Sequence, residues 1–387
     1  MKTVMIYQAK RTAIGSFMGS LSTVPAPQLG AVAAKAALSA AQLKGNEIDE
    51  SIVGCVLTAG IGQAPARQVT IFSELPVSVP AMTINKVCGS GLKAVSLAAD
   101  RVALGKAELV LAGGTENMSM APYYLPKARL GFRMGNQEAV DGMIHDGLWD
   151  IYNHFHMGNA AELCAREYKF TREQQDEYAK ESYKRAIQAI KDGLFKQEIA
   201  PVEVSQKKTS VQVDTDEEPQ RAQLEKFPKL RPAFDKEGSV TAANASSIND
   251  GAAMTIVGSE DLALKNRPLA KIIHCTEFAQ EPEWFTTAPV SCVKNLLHET
   301  SLKVSHISSF EINEAFSLVA MATQRELDIP REKLNPRGGA VALGHPIGAS
   351  GARLLTTLLY TLEKGQKGVV SLCIGGGEAI AMLVEKM

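Results

Sequence analysis

Cys88 stands in Val87-Cys88-Gly89-Ser90-Gly91, and Cys373 opens Cys373-Ile374-Gly375-Gly376-Gly377 near the other end of the chain. Each follows an apolar, strand-like run and enters a glycine turn, where a backbone can bring its N–H groups close to a ligand. A nucleophilic thiol beside exposed amides is the equipment of acyl transfer. His345 lies in the glycine-rich stretch Asn335 to Gly351, whose composition predicts a loop without helix or ordinary strand. A histidine fixed there can act as general base to a cysteine or donate to an oxyanion. Cys88 also opens a predicted helix, whose N-terminus lowers a thiol's pKa and enriches the thiolate. The alternative for Cys88 is a buried structural cysteine. Cys373 reads equally as a second acid/base or as a core residue leaving a strand. Asn313, in Glu311-Ile312-Asn313-Glu314-Ala315-Phe316, reads as a helix N-cap or as a group positioning a water or carbonyl. His156, in Phe155-His156-Met157-Gly158, is kept as a ligand contact.

The elements that must carry these groups show an internal repeat. Gly89-Ser90-Gly91 is followed by the helical period Leu92 to Leu104 and the run Glu108 to Glu116. Ala349-Ser350-Gly351 is followed by Ala352 to Leu362 and the run Gly368 to Glu378. Both read as a small-residue turn, an amphipathic helix, a buried strand and a glycine turn ending in glutamate, which indicates a duplicated α/β unit. Cys88 then aligns with Gly348, three residues after His345, and the active site falls between the repeats. From about 118 to 246 the pattern changes. Pro122 to Gly135 is a basic loop, Ala160 to Lys191 is helical by period, and Lys207 to Phe227 is polar, with Asp214, Asp216, Glu217 and Glu218 read as a surface excursion.

The 387 residues are 45% hydrophobic and 21% charged, with a formal net charge of −1, values ordinary for a globular protein with a sizeable core. The absence of a basic stripe argues against nucleic-acid binding. Six cysteines are too few for a disulfide scaffold of this size, and none are paired as Cys-x-x-Cys, which argues against zinc. No long apolar run predicts a membrane span, the start reads as a strand and not a leader, and Glu385-Lys386-Met387 is no peroxisomal address. A cytoplasmic compartment is expected. A dinucleotide reading of the glycine turns fails: a short strand-like run, not a long helix, follows Gly375-Gly376-Gly377.

Taken together, six blocks resemble the thiolases, the coenzyme A-dependent condensing enzymes: Arg11 to Gly15 with Gly62 to Gln68, Ile84 to Gly91, Gly113 to Ser119, Asn313 to Phe316, Gly344-His345-Pro346 and Cys373 to Gly377. The resemblance covers essentially the whole chain. It implies an α/β, duplicated five-layer α-β-α-β-α architecture with an inserted loop domain. Residues 1–117 with 247–268 would form the N-terminal half, 118–246 the loop domain binding CoA, and 269–387 the C-terminal half. It also implies roles. Cys88 would carry the acyl group, His345 would take its proton, Cys373 would move the α-proton of the second acyl-CoA, and Asn313 would hold a water beside the enolate. The N–H groups of Cys88 and Gly375 would form the oxyanion hole. Leu148, His156, Met157, Phe234 and Ser246 fall on positions lining the pantetheine, Arg221 on an adenine-side arginine, and Phe285 near the acyl pocket.

The implied reaction is reversible Claisen condensation of two acetyl-CoA to acetoacetyl-CoA through acetyl-Cys88. Coenzyme A and acyl-CoA are then substrates, and no metal or permanently bound cofactor is expected. The basic stretch Lys127 to Arg133 resembles a tetramerisation loop, implying a homotetramer with a dimer as fallback. Alternatives are a degradative 3-ketoacyl-CoA thiolase of broader chain length and an inactive lipid-binding or scaffold relative. A carrier-protein-dependent ketoacyl synthase would show two histidines and no second active cysteine. Glu378 departs from the pattern, since the family often has a small or apolar residue there.

Overall fold

The structure is a computed structural model that describes residues 2–205, 209–262, 264 and 267–387. Met1 and Lys207, which opens the predicted polar stretch, lie outside the described residues. Five strands build the first half: β1 (Val4–Thr12), β2 (Glu50–Gly54), β3 (Ala81–Ile84), β4 (Leu109–Asn117) and β5 (Asn249–Ser259). The second half holds β6 (Ala270–Ala279), β7 (Ser309–Ile312), β8 (Lys367–Ile374) and β9 (Glu378–Lys386). The order β3-β2-β4-β5-β1 continues through an antiparallel β1–β6 contact into β6-β9-β8-β7.

The two halves repeat one topology. In the first, β3, β2 and β4 are parallel, and β5 and β1 follow antiparallel. In the second, β7 and β8 are parallel, and β9 and β6 follow antiparallel. The missing fifth strand survives as a single parallel bridge from Leu334 to Phe310. The duplication read from sequence is therefore a duplication of strand order.

Helices α1 (Ala26–Ala41) and α2 (Pro65–Phe72) cover the outer face of the first half. Helices α3 (Ser90–Ala103), α6 (Ala288–Glu299), α7 (Ser317–Leu327) and α8 (Ser350–Thr361) belong to the two repeats, while α4 (Met157–Glu167) and α5 (Arg172–Lys191) belong to the excursion between β4 and β5. α3 and α8 pack on each other between the two half-sheets, and α6 and α7 cover the far side, giving five layers α-β-α-β-α. Strand alternation fits this layering. Val110 and Ala112 of β4 face the central core with Leu92, Val95, Leu355 and Leu358, while Leu109 and Leu111 face α1. In β9, Ile380, Met382 and Val384 face the centre, and Ala379, Ala381 and Leu383 face α6. Covered on both faces, these strands read as continuous apolar runs.

The crossing of α3 and α8 requires small residues. A Cβ on Gly91 would stand 3.0 Å from both Ala352 N and Gly348 O, and one on Gly351 would stand 2.7 Å from Leu92 N. These reciprocal approaches let the two helix starts meet face to face.

Four local expectations are corrected. The helical stretch 160–191 is two helices, because Thr171 and Gln174 form a capping box that starts α5 (Gln174 N–H to Thr171 Oγ1 3.2 Å, Thr171 N–H to Gln174 Oε1 3.0 Å). Asp216 and Glu217 are not surface residues: Asp216 accepts both Nη groups of buried Arg11 at 2.7 and 2.9 Å, and Glu217 accepts the Ser16 amide at 2.7 Å. Gly113-Gly114 is not a turn but part of β4, and Ala340–Leu343 makes one helical turn inside the glycine-rich loop.

Candidate active site

Cys88 sits in the tight turn between β3 and α3. Gly89 N–H donates to Lys86 O at 2.9 Å and Ser90 N–H to Val87 O at 3.1 Å. The Ser90 hydroxyl accepts the Lys86 amide at 2.8 Å and donates to Val87 O at 2.7 Å. This turn forces Val87 to φ +43°, a left-handed conformation that a β-branched residue adopts only under strain. The result is a half-buried residue whose sulfur faces its own N–H and that of Gly375 across the interface between the halves.

The expectation of a thiolate-rich Cys88 is corrected here. Burial raises the thiol to about 11, against the two backbone N–H groups that favour the anion. Desolvation disfavours the charged form more than the helix start favours it. At neutral pH the thiol therefore rests protonated, and any nucleophilic use of it would need a base to take the proton.

His345 can take it. Its backbone N–H donates to Asn249 Oδ1 at 2.9 Å, and Nδ1 lies 2.5 Å from Ser350 Oγ. That hydroxyl donates to Pro346 O at 2.8 Å, so it accepts from Nδ1–H and leaves Nε2 as the basic nitrogen. Burial, and then the Arg353 guanidinium, lower the imidazole to about 3, keeping it neutral at rest.

Asn313 is not an N-cap, because α7 starts only at Ser317 after Phe316. Its N–H donates to Ser371 O at 3.0 Å, its Nδ2 lies 3.4 Å from His345 Nε2, and its Oδ1 has no protein partner. The next residue, Glu314, anchors it by accepting from Ser182 Oγ at 2.7 Å, Asn335 Nδ2 at 2.8 Å and Tyr178 OH at 3.0 Å. Cys373, near the end of β8, is fully buried, and burial followed by the neighbouring Cys88 pushes its thiol well up.

Cys88, His345 and Gly375 line a cavity of 370 Å³ whose walls are mostly apolar. Leu148, His156, Met157, Phe234, Ser246 and Phe285 all line it, so the structure brings these sequence-selected positions together. His156 stacks on Phe234 at 4.7 Å, and its Nδ1 accepts the Gly158 amide at 3.0 Å, which leaves Nε2–H for a ligand. Arg221 does not line the cavity. It ends the short helix Glu217–Arg221 and borders a separate hollow with Ser20 and Gln220. Among the described residues, no group of three or more His, Cys, Asp or Glu side chains could hold a metal ion.

Sequence reasoning missed two positioning residues. Ser350 sets the His345 tautomer, and its five-residue offset at a helix start was the available signal. Glu116 accepts the amides of Gly348 at 2.9 Å and of Val56 and Leu57 at 3.1 Å each, so it holds the histidine loop to the first half.

Two predictions follow from this geometry. Ser350→Ala releases the ring tautomer and should lower kcat by about tenfold or more with KM little changed, while Ser350→Thr restores part of it. Folding lowers His345 from 6.5 to about 3, so the folded chain binds fewer protons than the unfolded one between those values. That contribution to stability is present above pH 6.5 and is lost as pH falls toward 3. Urea midpoints of His345→Asn should therefore decline less steeply below pH 6.5 than those of the wild type.

Residues 4–261 match the thiolase N-terminal domain and residues 266–386 the thiolase C-terminal domain. The chain is 51% identical to the acetyl-CoA acetyltransferase of Cupriavidus necator over 392 aligned residues, covering 100% of both. It is 48% identical to acetyl-CoA acetyltransferase 1 of Arabidopsis thaliana, covering 100% of this chain and 95% of that one. Among solved structures, the Acat5 thiolase of Ascaris suum in complex with coenzyme A superposes with a TM-score of 0.96 at 44% identity, covering 100% of both chains. The acetyl-CoA acetyltransferase of Bacillus anthracis gives 0.97 at 36% identity, covering 100% of this chain and 99% of that one. The repeated strand order, the paired glycine-rich loops and full-length similarity of this degree agree: the chain belongs to the thiolase family.

Proposed function

We propose that this thiolase catalyses the reversible condensation of two acetyl-CoA to acetoacetyl-CoA and CoA. The observation that carries the reading is one apolar cavity where the Cys88 sulfur meets the Gly375 N–H and a neutral His345 whose Nε2 is its basic nitrogen. The 51% identity to an acetyl-CoA acetyltransferase supports the same substrate.

His345 Nε2 takes the Cys88 proton as sulfur attacks the thioester carbonyl of the first acetyl-CoA. The tetrahedral oxyanion lies on the N–H groups of Cys88 and Gly375, where one donor is worth about a hundredfold or more in rate. His345 returns the proton to the departing CoA sulfur, leaving acetyl-Cys88. Cys373 passes its thiol proton to the freed His345 and, as the resulting thiolate, removes a proton from the α-carbon of the second acetyl-CoA. The enolate oxygen is held by protonated His345 and a water on Asn313, whose Oδ1 is otherwise unpartnered. The α-carbon attacks acetyl-Cys88, and the tetrahedral intermediate collapses with expulsion of the Cys88 thiolate, which takes the proton back from His345. The inserted segment supplies Leu148, His156, Met157, Phe234 and Ser246 to the pantetheine arm, and Arg221 is assigned to the nucleotide end outside the cavity. The six cysteines are all free, as a reducing cytoplasm would keep them. Among the described residues no helix is long and apolar enough to cross a membrane.

Phe285 favours the short-chain reading over a degradative thiolase. It is buried in the cavity wall, edge-on to Phe316 at 6.5 Å, so its ring fills space that a longer acyl chain would need. The basic loop beyond β4 exposes Leu130 by 82% and Met134 by 95%, an apolar display that supports a homotetramer.

Mass spectrometry after incubation with acetyl-CoA should find acetyl on Cys88, and Cys88→Ser should lose about a thousandfold or more in kcat. Thiolysis should fall sharply for 3-ketoacyl-CoA longer than acetoacetyl-CoA, and Phe285→Ala should recover the longer chains. Sustained wild-type rates on long chains would move the protein to the degradative class. Light scattering should give a tetramer mass; a monomer would remove the assembly reading.

A further inference from the structure

Behind the Cys88 turn, four charged side chains from four elements meet at the boundary between the halves. Lys86, two residues before the nucleophile, pairs with Glu378 and lies 3.1 Å from Glu277 Oε2. Glu277, on β6, also pairs with Lys93 of α3. Both cations come from the half that carries the nucleophile, and both carboxylates from the half that carries Gly375. Lys86 is only 19% exposed, so these pairs are screened less than surface ones.

The positions within each element matter as much as the pairs. Lys86 adjoins Val87, whose strained φ of +43° aims the sulfur. Glu378 follows the Gly375-Gly376-Gly377 turn, where Gly376 and Gly377 take φ +95° and +89° and add no side chains to stiffen it. Gln280 N–H donates to Gly377 O at 2.9 Å and ties the turn to its own half. Lys86 ties it to the other. The arrangement is reciprocal: Glu116 of the first half grips the Gly348 amide of the second, and Glu378 of the second grips Lys86 of the first.

We propose that the Lys86–Glu378–Glu277–Lys93 network is a positioning device that holds the Gly375 N–H against the Cys88 sulfur. It stabilises no reacting atom directly. It keeps the oxyanion donor and the nucleophile, which come from different halves, in register. The inference rests on the reading of Cys88 as the acyl-carrying nucleophile.

The test compares Lys86→Met, Glu378→Gln and Lys86→Arg by steady-state kinetics with acetoacetyl-CoA and by the rate of Cys88 alkylation by iodoacetamide, read by mass spectrometry. His345, Cys373 and Glu116 face Cys88 from other elements and are left unchanged. Positioning predicts that Lys86→Met and Glu378→Gln both slow alkylation, because each takes an N–H from the thiolate, and both lower kcat by about tenfold or more with KM little changed. Lys86→Arg, which keeps the pairs, should stay close to wild type. A through-space charge effect would instead move the two alkylation rates in opposite directions, and would overturn the proposal, as would unchanged rates in both. Thermal midpoints are read alongside, and Glu277→Gln replaces any variant that fails to fold, with the same slowing expected. If wild-type Cys88 takes no acyl group, the nucleophile reading falls and this inference falls with it. If it does and the variants behave as wild type, only the positioning role falls.

Discussion

The carboxylate of Glu116 crosses from the end of one half-sheet to the backbone of the other half. It accepts amides from Val56 and Leu57 on its own side and from Gly348 on the far side. Burial pushes it up to about 7, and the three amides pull the other way. Removing it would orphan three buried N–H groups, each at a cost of about 1–3 kcal/mol. Such close contact requires Gly114, because a Cβ there would lie 2.0 Å from Gly348 O. The histidine loop is therefore docked by backbone against backbone, and the placement of His345 beside Cys88 depends on that docking.

The inserted segment is bound into the same framework by buried charge. Arg11 on β1 is fully buried and donates to Glu198 Oε1 at 2.6 Å and to both oxygens of Asp216. Both acids belong to the excursion between β4 and β5. An uncompensated charge in that position would be strongly destabilising, so the pairs hold the excursion to one arrangement against the sheet. Glu314 does the same from the second half, taking Tyr178 and Ser182 of α5 while it anchors the strand end that presents Asn313. The wall of the cavity and its chemistry thus share their supports.

Burial also sets the resting protonation. Both thiols are driven up and the imidazole is driven down, so Cys88, Cys373 and His345 all rest uncharged. In so apolar a setting, separating charge between any two of them is costly. The N–H groups already aimed at the sulfur favour negative charge without reorganising. A low-dielectric site with fixed donors therefore keeps the thiols protonated at rest while its N–H groups stay aimed at the sulfur.

Much of this was legible in the residues. The turn chemistry around Cys88, His345 and Cys373 and the continuous apolar runs that became β4 and β9 are local patterns, and local patterns survive in a linear string. The duplicated helix–strand unit was visible for the same reason, as repeated spacing. The missed features depend on distance in space. Nothing beside Asp216 announces that Arg11, some two hundred positions earlier, will bury it, and its polar neighbours pointed to the surface. The lowered thiol expected at a helix start failed because desolvation depends on everything packed around the sulfur, which sequence does not list. Ser350 and Glu116 escaped because a hydroxyl or carboxylate acquires a role only through the partner it meets. The sequence by itself determined which groups can do chemistry and which runs can form strands and helices. The tertiary structure decided their protonation, the choice of imidazole nitrogen and the meeting of the Cys88 sulfur with the Gly375 N–H, because each depends on distances and burial between segments far apart in the chain.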